Sequence, residues 1–412
     1  MKVRADLLEP STTLNTEGND LCCFDAPVER RQTHSLKWTR YPKDVLPLWV
    51  ADMDFMAPEP IRQVLRSAVA HGVLGYEIPG KKLLERVAAR MQSLYGWAVS
   101  PDWVVAVPGL VAGFKAAARA VCQSGDGVLL QPPVYPPFLE VPQHTGTVGQ
   151  FAPLRPVTEG HKLRYEIAWD VFETALNSSG AHTAMFLLCH PHNPTGAIYS
   201  KADLQRMAGL CLQNDTVICS DEIHNDLLLG GAPHLPFAAL APDIALRTIT
   251  LVSPSKTFNV AGLFCGFAII PDPALRARYW SVVQSLGLHV NSLGLLAAEA
   301  AFSGECESWL EDLRRYLTAN RDYLVEFVAR ELAGVRVTVP QATYLAWLDF
   351  SELVRAGRIA TTPYRFFLDK AKVALNPGAD FGPGGDHCAR LNFSCPRATL
   401  AEALQRMGKA LA

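Results

Sequence analysis

The sequence predicts an α/β protein: a large domain with a mostly parallel central sheet flanked by helices, joined to a smaller α+β domain made from the N- and C-terminal segments. Three observations predict it. From about residue 61, helical patterns alternate with short apolar runs, the mark of successive βα units. Those runs are continuously apolar, as strands buried on both faces require. After about residue 300 the rhythm changes to one long helical stretch followed by isolated strands. The chain therefore divides into an N-terminal segment (1–57) too small to form its own core, a large domain (58–299) and a small domain (300–412), with the first packing on the last.

Taken in order, the strands fall at 103–107, 128–131, 184–189, 216–220, 248–252 and 266–270, each rich in Val, Ile, Leu or Phe and bounded by Gly, Pro, Asp or Ser. Helices fall between them at 111–123, 201–213 and 274–300. Ser200 and Asp203 have the form of a capping box opening the second. The C-terminal part reads as a helix at 307–333, a strand at 344–350, a helix at 363–371, a strand at 390–393 and a last helix at 397–411. Residues 1–20 are polar and expected to be loosely ordered, and no repeat or low-complexity tract interrupts the chain.

Composition narrows the function classes. In 412 residues, 49% are hydrophobic and 19% charged, enough apolar material for a large core and too much for a disordered chain. A formal charge of −2 speaks against nucleic acid and anionic membranes as partners. No apolar stretch approaches the roughly 18 residues that cross a bilayer, and the first residues lack a signal-peptide core. Ten scattered Cys in a chain this long point to a reducing cytoplasm rather than a disulfide framework, and the adjacent Cys22 and Cys23 read as a buried apolar pair.

Three segments carry chemistry. Lys256, in Ser253-Pro254-Ser255-Lys256-Thr257, follows an apolar strand. It is either a solvated strand-end lysine or a desolvated amine suited to Schiff-base chemistry, with hydroxyls beside it that could bind phosphate. Asp221 and Glu222 end another apolar strand, where ligands of open α/β sheets collect. A carboxylate there can cap a helix, bind a metal or hold a pyridinium proton. His190-Pro191-His192-Asn193-Pro194-Thr195-Gly196 follows a third. It carries turn chemistry, and its two histidines lack the carboxylate spacing of a metal site. The three segments are spaced by about one βα unit each, so amide, carboxylate and lysine converge on one edge of one sheet.

With these residues together, the sequence resembles the fold-type I pyridoxal-phosphate (PLP) enzymes of the aminotransferase class I/II superfamily. Within them it is most similar to the MalY/PatB-type cystathionine β-lyases, or C–S lyases. The likeness runs from about Phe24 to the C-terminus. Further blocks carry it: Trp49-Val50-Ala51-Asp52-Met53-Asp54-Phe55, Gln131-Pro132-Pro133-Val134-Tyr135-Pro136-Pro137-Phe138, Ser220-Asp221-Glu222-Ile223-His224, Ala374-Leu375-Asn376-Pro377-Gly378 and Arg390-Leu391-Asn392-Phe393-Ser394.

The resemblance implies roles. Lys256 would carry pyridoxal 5'-phosphate covalently, Asp221 would pair with the ring nitrogen, and Asn193, aided by His224, would bond the ring's 3-oxygen. Tyr135 would stack on the ring. Leu110 and Val111, at a helix start after Pro108-Gly109, would bind the phosphate through backbone N–H groups, with Ser253 and Ser255. Tyr76 would reach the phosphate from a neighbouring subunit, which implies a homodimer with shared active sites. Arg390 would fork onto the substrate carboxylate. The implied reaction is β-elimination on an L-cysteine thioether; an aminotransferase or a PLP-binding regulatory protein would use the same residues.

Four features depart from expectation. Position 264, where many aminotransferases carry a phosphate-binding arginine, is Phe; His190 stands where the family commonly has Asn, and Ala197 where it has a basic residue. The run at 75–81 nearly fits a P-loop, but Lys82 replaces the required Ser or Thr and Val73-Leu74 is too short for the preceding strand.

Overall fold

Seven strands form the central sheet of the computed structural model, which describes residues 24–177, 180–231 and 233–412. Cys22, Cys23 and residues 1–20 lie outside the described residues. From edge to edge the order is Val104–Val107, Gly266–Ile269, Thr248–Val252, Val217–Asp221, Thr183–Cys189, Gly127–Leu130 and Val148–Phe151. Gly266–Ile269 runs antiparallel to both neighbours, and the other adjacent pairs are parallel. The six predicted strands are all present within one or two residues of their expected ends. Their continuous apolar runs have the predicted cause, since Thr183–Cys189, Val217–Asp221 and Thr248–Val252 are buried at every position.

Helices cover both faces. On one, Leu110–Val121 and Pro273–Ser285 pack against the sheet, and the Tyr279 hydroxyl donates to the Gly113 carbonyl at 3.1 Å. On the other lie Trp169–Leu176 and Lys201–Gln213. The latter has the predicted bounds, and Ser200 Oγ accepts the Asp203 N–H at 3.1 Å as its cap. The helix expected at 274–300 is two helices, Pro273–Ser285 and Ser292–Ala301. Gly287 turns the chain through a left-handed conformation, and Asn291 Oδ1 caps the second helix by accepting the Gly294 N–H at 2.8 Å. The continuous apolar pattern hid that break.

The second sheet runs Asn376–Pro377, Cys388–Asn392, Leu345–Asp349, Arg336–Thr338, Lys162–Glu166 and Arg155–Glu159. A hairpin from mid-chain thus completes a sheet otherwise made by the C-terminal part. The long helix Glu307–Glu331 and the last helix, Arg397–Leu411, pack with it into one core. The stretch expected as a helix at 363–371 is a short helix, Pro363–Phe366, widening into a π turn at Phe367–Ala371. Near the N-terminus Leu46–Pro47 pairs in parallel with Val373–Ala374. No helix among the described residues is long and apolar enough to cross a membrane.

Candidate active site

The strand register sets the site. Cys189 lies opposite Asp221, and Asp221 opposite Leu251, so three neighbouring strands end together and release the loops carrying Asn193, Asp221 and Lys256 side by side. A cavity of about 190 Å³ opens at this edge, lined among others by Tyr135, Asn193, Asp221, His224, Ser255 and Lys256. Leu110, Val111 and Phe264 also line it. The convergence expected from spacing alone is therefore present in the fold.

Each loop has a local reason for its shape. Gly196, in a left-handed conformation, ends the Asn-Pro-Thr-Gly turn where a Cβ would stand 2.5 Å from Pro340. Its carbonyl accepts the Gln341 and Ala342 N–H groups at 2.8 and 3.0 Å, which ties the Asn193 loop to the second sheet. Gly109, at φ +89°, swings the chain into the Leu110–Val121 helix, and no side chain caps that helix. Its first-turn N–H groups are left for a ligand, with the positive end of the helix dipole behind them.

Lys256 sits in the short turn Pro254–Thr257. Its Nζ donates to the Ala51 carbonyl at 2.6 Å, and the Tyr344 hydroxyl donates to the same oxygen at 3.0 Å. Burial pulls the ammonium down to about 8; Asp52 and Asp221 oppose that shift and Arg390 reinforces it. Asp221 moves the other way. Burial pushes its carboxyl up to about 7, against a hydrogen bond from the Ile223 N–H to Oδ1 at 3.1 Å and the attraction of Lys256, with Glu222 adding like charge. Both groups thus resist being charged in the cavity as it stands, and each gains from a ligand bearing the complementary group. Burial likewise holds His224 down to about 3, so its imidazole is neutral, and its Nδ1 has no partner.

Arg390, on the Cys388–Asn392 strand, is buried behind Asn193. Its Nη1 donates to Asn193 Oδ1 at 3.1 Å, and its Nη2 to the Trp49 carbonyl at 3.0 Å and Asn376 Oδ1 at 2.5 Å. All three acceptors are neutral, Nε has none, and burial lowers the guanidinium to about 10. A buried cation held only by neutral oxygens is arranged to receive an anion. The bond to Asn193 also fixes that amide with Oδ1 toward Arg390, which leaves Nδ2 as its free donor.

Not every expected residue reaches the cavity. Ser253 Oγ donates to the Cys265 carbonyl at 2.6 Å and caps the Lys256 turn, while Ser255 lines the cavity. Tyr76 is fully exposed and is not among the residues lining the cavity. Phe264, in a left-handed conformation and 61% exposed, forms part of the rim. The histidines have other duties: His192 Nδ1 pairs with Thr195 Oγ1 at 2.8 Å and His190 Nε2 with the Leu235 carbonyl at 3.3 Å. Among the described residues no cluster of three His, Cys, Asp or Glu side chains could hold a metal ion.

The segment around Ala51 acts on the site through its backbone. The Trp49, Val50, Ala51 and Asp52 carbonyls are each bonded, to Arg390, Asn392, Lys256 with Tyr344, and Asn392 again. Behind them Asp52 and Asp54 each pair with Arg30 at 2.7 Å, and Asp54 with buried Lys37 at 2.8 Å. This strap roofs the site through its backbone, and a backbone role leaves no side-chain signal beyond the block Trp49–Phe55 itself.

The chain is similar to known proteins along nearly its whole length. The aminotransferase class I and II family model matches residues 43–407. The chain is 40% identical over 394 residues to a cystathionine β-lyase, PatB, of Bacillus subtilis, covering 94% of this chain and 99% of that one. It is 34% identical to a cystathionine β-lyase of Corynebacterium glutamicum, covering 94% and 100%. A PLP-bound C–S lyase structure from Staphylococcus hominis superposes with a TM-score of 0.87 at 30% identity, covering 94% of this chain and 98% of that one. The chain belongs to the aminotransferase class I and II family.

Proposed function

We propose that the chain is a PLP-dependent carbon–sulfur lyase that cleaves L-cystathionine or another L-cysteine S-conjugate by β-elimination, giving a thiol, pyruvate and ammonia. The observation that carries this is one cavity lined by a half-buried lysine, a buried carboxylate and an uncapped helix N-terminus, with an unpaired guanidinium one hydrogen bond away. The lyase form of the chemistry is supported by relatives of near-equal length that bear the name cystathionine β-lyase.

The residues fit PLP, since the cavity offers a group for each of its polar parts, and His224 Nδ1 there is buried without a partner. Lys256 would hold its aldehyde carbon, Asp221 its ring nitrogen, and Asn193 Nδ2, with His224, its ring oxygen. Tyr135 would cover the ring. The Leu110 and Val111 N–H groups would hold the phosphate with Ser255, while Ser253 shapes the loop. When bound, the cofactor supplies a carbonyl to carry the substrate amine and a ring to accept electrons from Cα.

The chain's own residues do the rest. Arg390 orients the substrate carboxylate through a two-pronged bond. Lys256 Nζ, uncharged above about 8 in this site, takes the proton from Cα as general base and returns a proton to the departing sulfur. Ala51, the strap residue that lines the cavity, holds Lys256 Nζ in place through its carbonyl. In balance, one thioether amino acid and one water become one thiol, one pyruvate and one ammonium.

The test is pyruvate and thiol release from cystathionine with no 2-oxo acid added. Product that appears only with an added oxo acid would instead assign an aminotransferase. Two further outcomes are expected. In the cofactor-free chain, acylation of Lys256 followed by mass spectrometry should titrate with a midpoint near 8 rather than 10.5, because burial favours the free amine. Arg390→Lys should raise KM about 10- to 100-fold with a smaller change in kcat, since a point charge cannot reproduce the fork; steady-state kinetics on a thioether substrate measures this.

We further propose a homodimer with shared sites. Val73, Leu74, Tyr76 and Ile78 are all largely exposed on one short stretch, and Phe264 is exposed at the cavity rim. Apolar surface of this kind calls for a cover, and a second copy would bring Tyr76 to the phosphate end of its neighbour's cavity. Light scattering at twice the 45.0 kDa chain mass is the expected result. A cytoplasmic setting is supported by the described cysteines, all of which are free.

A further inference from the structure

Asn259, three residues beyond Lys256, has no part in the proposed chemistry, yet it is tied closely to the site. Its backbone is left-handed, at φ +55°, a conformation that asparagine tolerates and glycine takes freely. Its side chain bonds the strap three times. Oδ1 accepts the Met53 N–H at 3.0 Å, and Nδ2 donates to the Met53 carbonyl at 3.0 Å and the Phe55 carbonyl at 2.7 Å. One planar amide supplies the acceptor and both donors; turned over, its oxygen would face two carbonyls. Met53 and Phe55 are themselves buried in the core, so the clamp grips a part of the strap that is already anchored.

The strap meets the two cations of the site at neighbouring points. The Trp49 carbonyl accepts from Arg390 Nη2 at 3.0 Å, and the Ala51 carbonyl, two residues on, accepts from Lys256 Nζ at 2.6 Å and from the Tyr344 hydroxyl at 3.0 Å. Each cation is followed by an asparagine that holds the same strap. Asn392, two residues after Arg390, donates through Nδ2 to the Val50 and Asp52 carbonyls, at 2.7 Å each. Asn259 does the same from the loop of Lys256. Between the two clamps the Asp52 N–H folds onto the Val50 carbonyl at 3.0 Å, which leaves the stretch little freedom of its own. The Ala51 carbonyl is therefore set from both sides, by the second sheet through Asn392 and by the lysine loop through Asn259. A general base depends on such a fixed point. An uncharged amine has two hydrogens and one lone pair, and a bond from Nζ to an anchored carbonyl limits where the lone pair can point.

We propose that Asn259 is a positioning residue for Lys256: by clamping Met53 and Phe55 to the lysine loop it holds the Ala51 carbonyl where the Lys256 amine rests, and so aims that amine at the substrate's Cα hydrogen. The inference rests on the reading that Lys256 is the general base. Other bonds to the strap do not replace this one. Arg30 donates to the Met53 carbonyl at 3.1 Å and Lys37 to the Asp52 carbonyl at 3.2 Å, but both belong to the segment that leads into the strap and move with it. Among the described residues, the lysine loop reaches the strap through Lys256 and Asn259. Without Asn259 the strap stays on the second sheet, and the lysine loses its fixed relation to it. The loss falls on proton transfer and not on capture of the carboxylate, because Arg390 keeps Asn193, Asn376 and the Trp49 carbonyl. An amide in use also accounts for an asparagine at a left-handed position where glycine would be free of strain.

Asn259→Gly tests it, because glycine suits the left-handed turn and deletes the clamp alone. In the full chain freed of cofactor, hydrogen exchange at the Met53 N–H should speed up about 10-fold or more. Acylation of Lys256, at a pH where its amine is uncharged, should speed up about 2- to 10-fold as the bond to Ala51 loosens. In the loaded enzyme, kcat per bound cofactor should fall about 10-fold while KM changes by less than about twofold. A merely structural role would lower the loaded fraction and the melting temperature and leave kcat per bound cofactor where it was. Unaltered exchange at Met53, unaltered acylation, an unaltered kcat per bound cofactor or a loss confined to KM each overturns the proposal. Wild type supplies a test that stands even where the glycine variant fails to fold. Its Met53 N–H should exchange as slowly as the Asp54 N–H, which is bonded to the Ser394 carbonyl at 3.0 Å, and a Met53 amide that exchanges like an open loop overturns the proposal. The exchange and acylation measurements need neither cofactor nor substrate. They are therefore separate from the functional reading, which fails if cystathionine yields no thiol and pyruvate.

Discussion

Lys256→Ala is expected to lower β-elimination by about 10⁴-fold or more, the scale at which a nucleophile that also serves as general base is lost. Alanine removes the amine that would carry the cofactor, that takes the Cα proton and that returns a proton to sulfur, so no second residue in the cavity can cover all three duties. His224 is no substitute, because burial keeps it neutral with a weakly basic ring. Cofactor should still bind without a covalent link, since the helix start, Asp221, Asn193 and Tyr135 are untouched. The variant should therefore bind PLP yet show no mass gain on borohydride reduction, where wild type gains one cofactor at Lys256. Removing the ammonium also frees the Ala51 carbonyl, which then keeps only the Tyr344 hydroxyl at 3.0 Å, so the strap should loosen without the fold failing. A Lys256→Ala protein releasing pyruvate at near-native rates would defeat the whole reading.

What made this site legible in the sequence was that three of its groups act through side chains placed where continuous apolar strands end. Asn193, Asp221 and Lys256 follow runs that only a doubly covered sheet explains, and their spacing by βα units brings them to one edge. Other parts left no such trace. The hairpin Arg155–Glu159 and Lys162–Glu166 is largely exposed and charged, so it lacks an apolar run, yet its backbone completes the second sheet. The break between Pro273–Ser285 and Ser292–Ala301 depends on Gly287 and Asn291 inside an otherwise helical pattern. The Ala51 carbonyl works as a backbone acceptor, for which any residue would serve. Arg390 is legible through its resemblance to the family pattern, while its partners Asn376 and the Trp49 carbonyl carry no chemical signal of their own in the sequence. Ser253 was expected at the phosphate, but a hydroxyl beside a turn can equally well hold the turn, and here it does.

Asp221→Asn is expected to cut turnover about 10²- to 10³-fold, the usual cost of removing one charged group aimed at charge that develops in the reaction. It should at the same time stabilise the cofactor-free protein. The folded carboxyl sits at about 7 against 3.8 in the unfolded chain, chiefly through burial. Between those values the unfolded chain binds fewer protons than the folded one, so wild-type stability falls as pH rises through the window and stays low above it. Asparagine has the same shape and no proton to lose, so its stability lacks that fall. The gap should be about 2–4 kcal/mol in the variant's favour at pH 8 and should close toward pH 4. Denaturant melts of the cofactor-free proteins at the two pH values measure it directly. A wild type more stable than the variant at pH 8 would mean that Asp221 already has a counter-charge in the empty cavity. Loaded with cofactor the order should reverse, because a protonated ring nitrogen is the partner this carboxylate lacks. A residue that weakens the empty protein and strengthens the loaded one is kept for its ligand, and that reversal would tie the instability of the bare site to its chemistry.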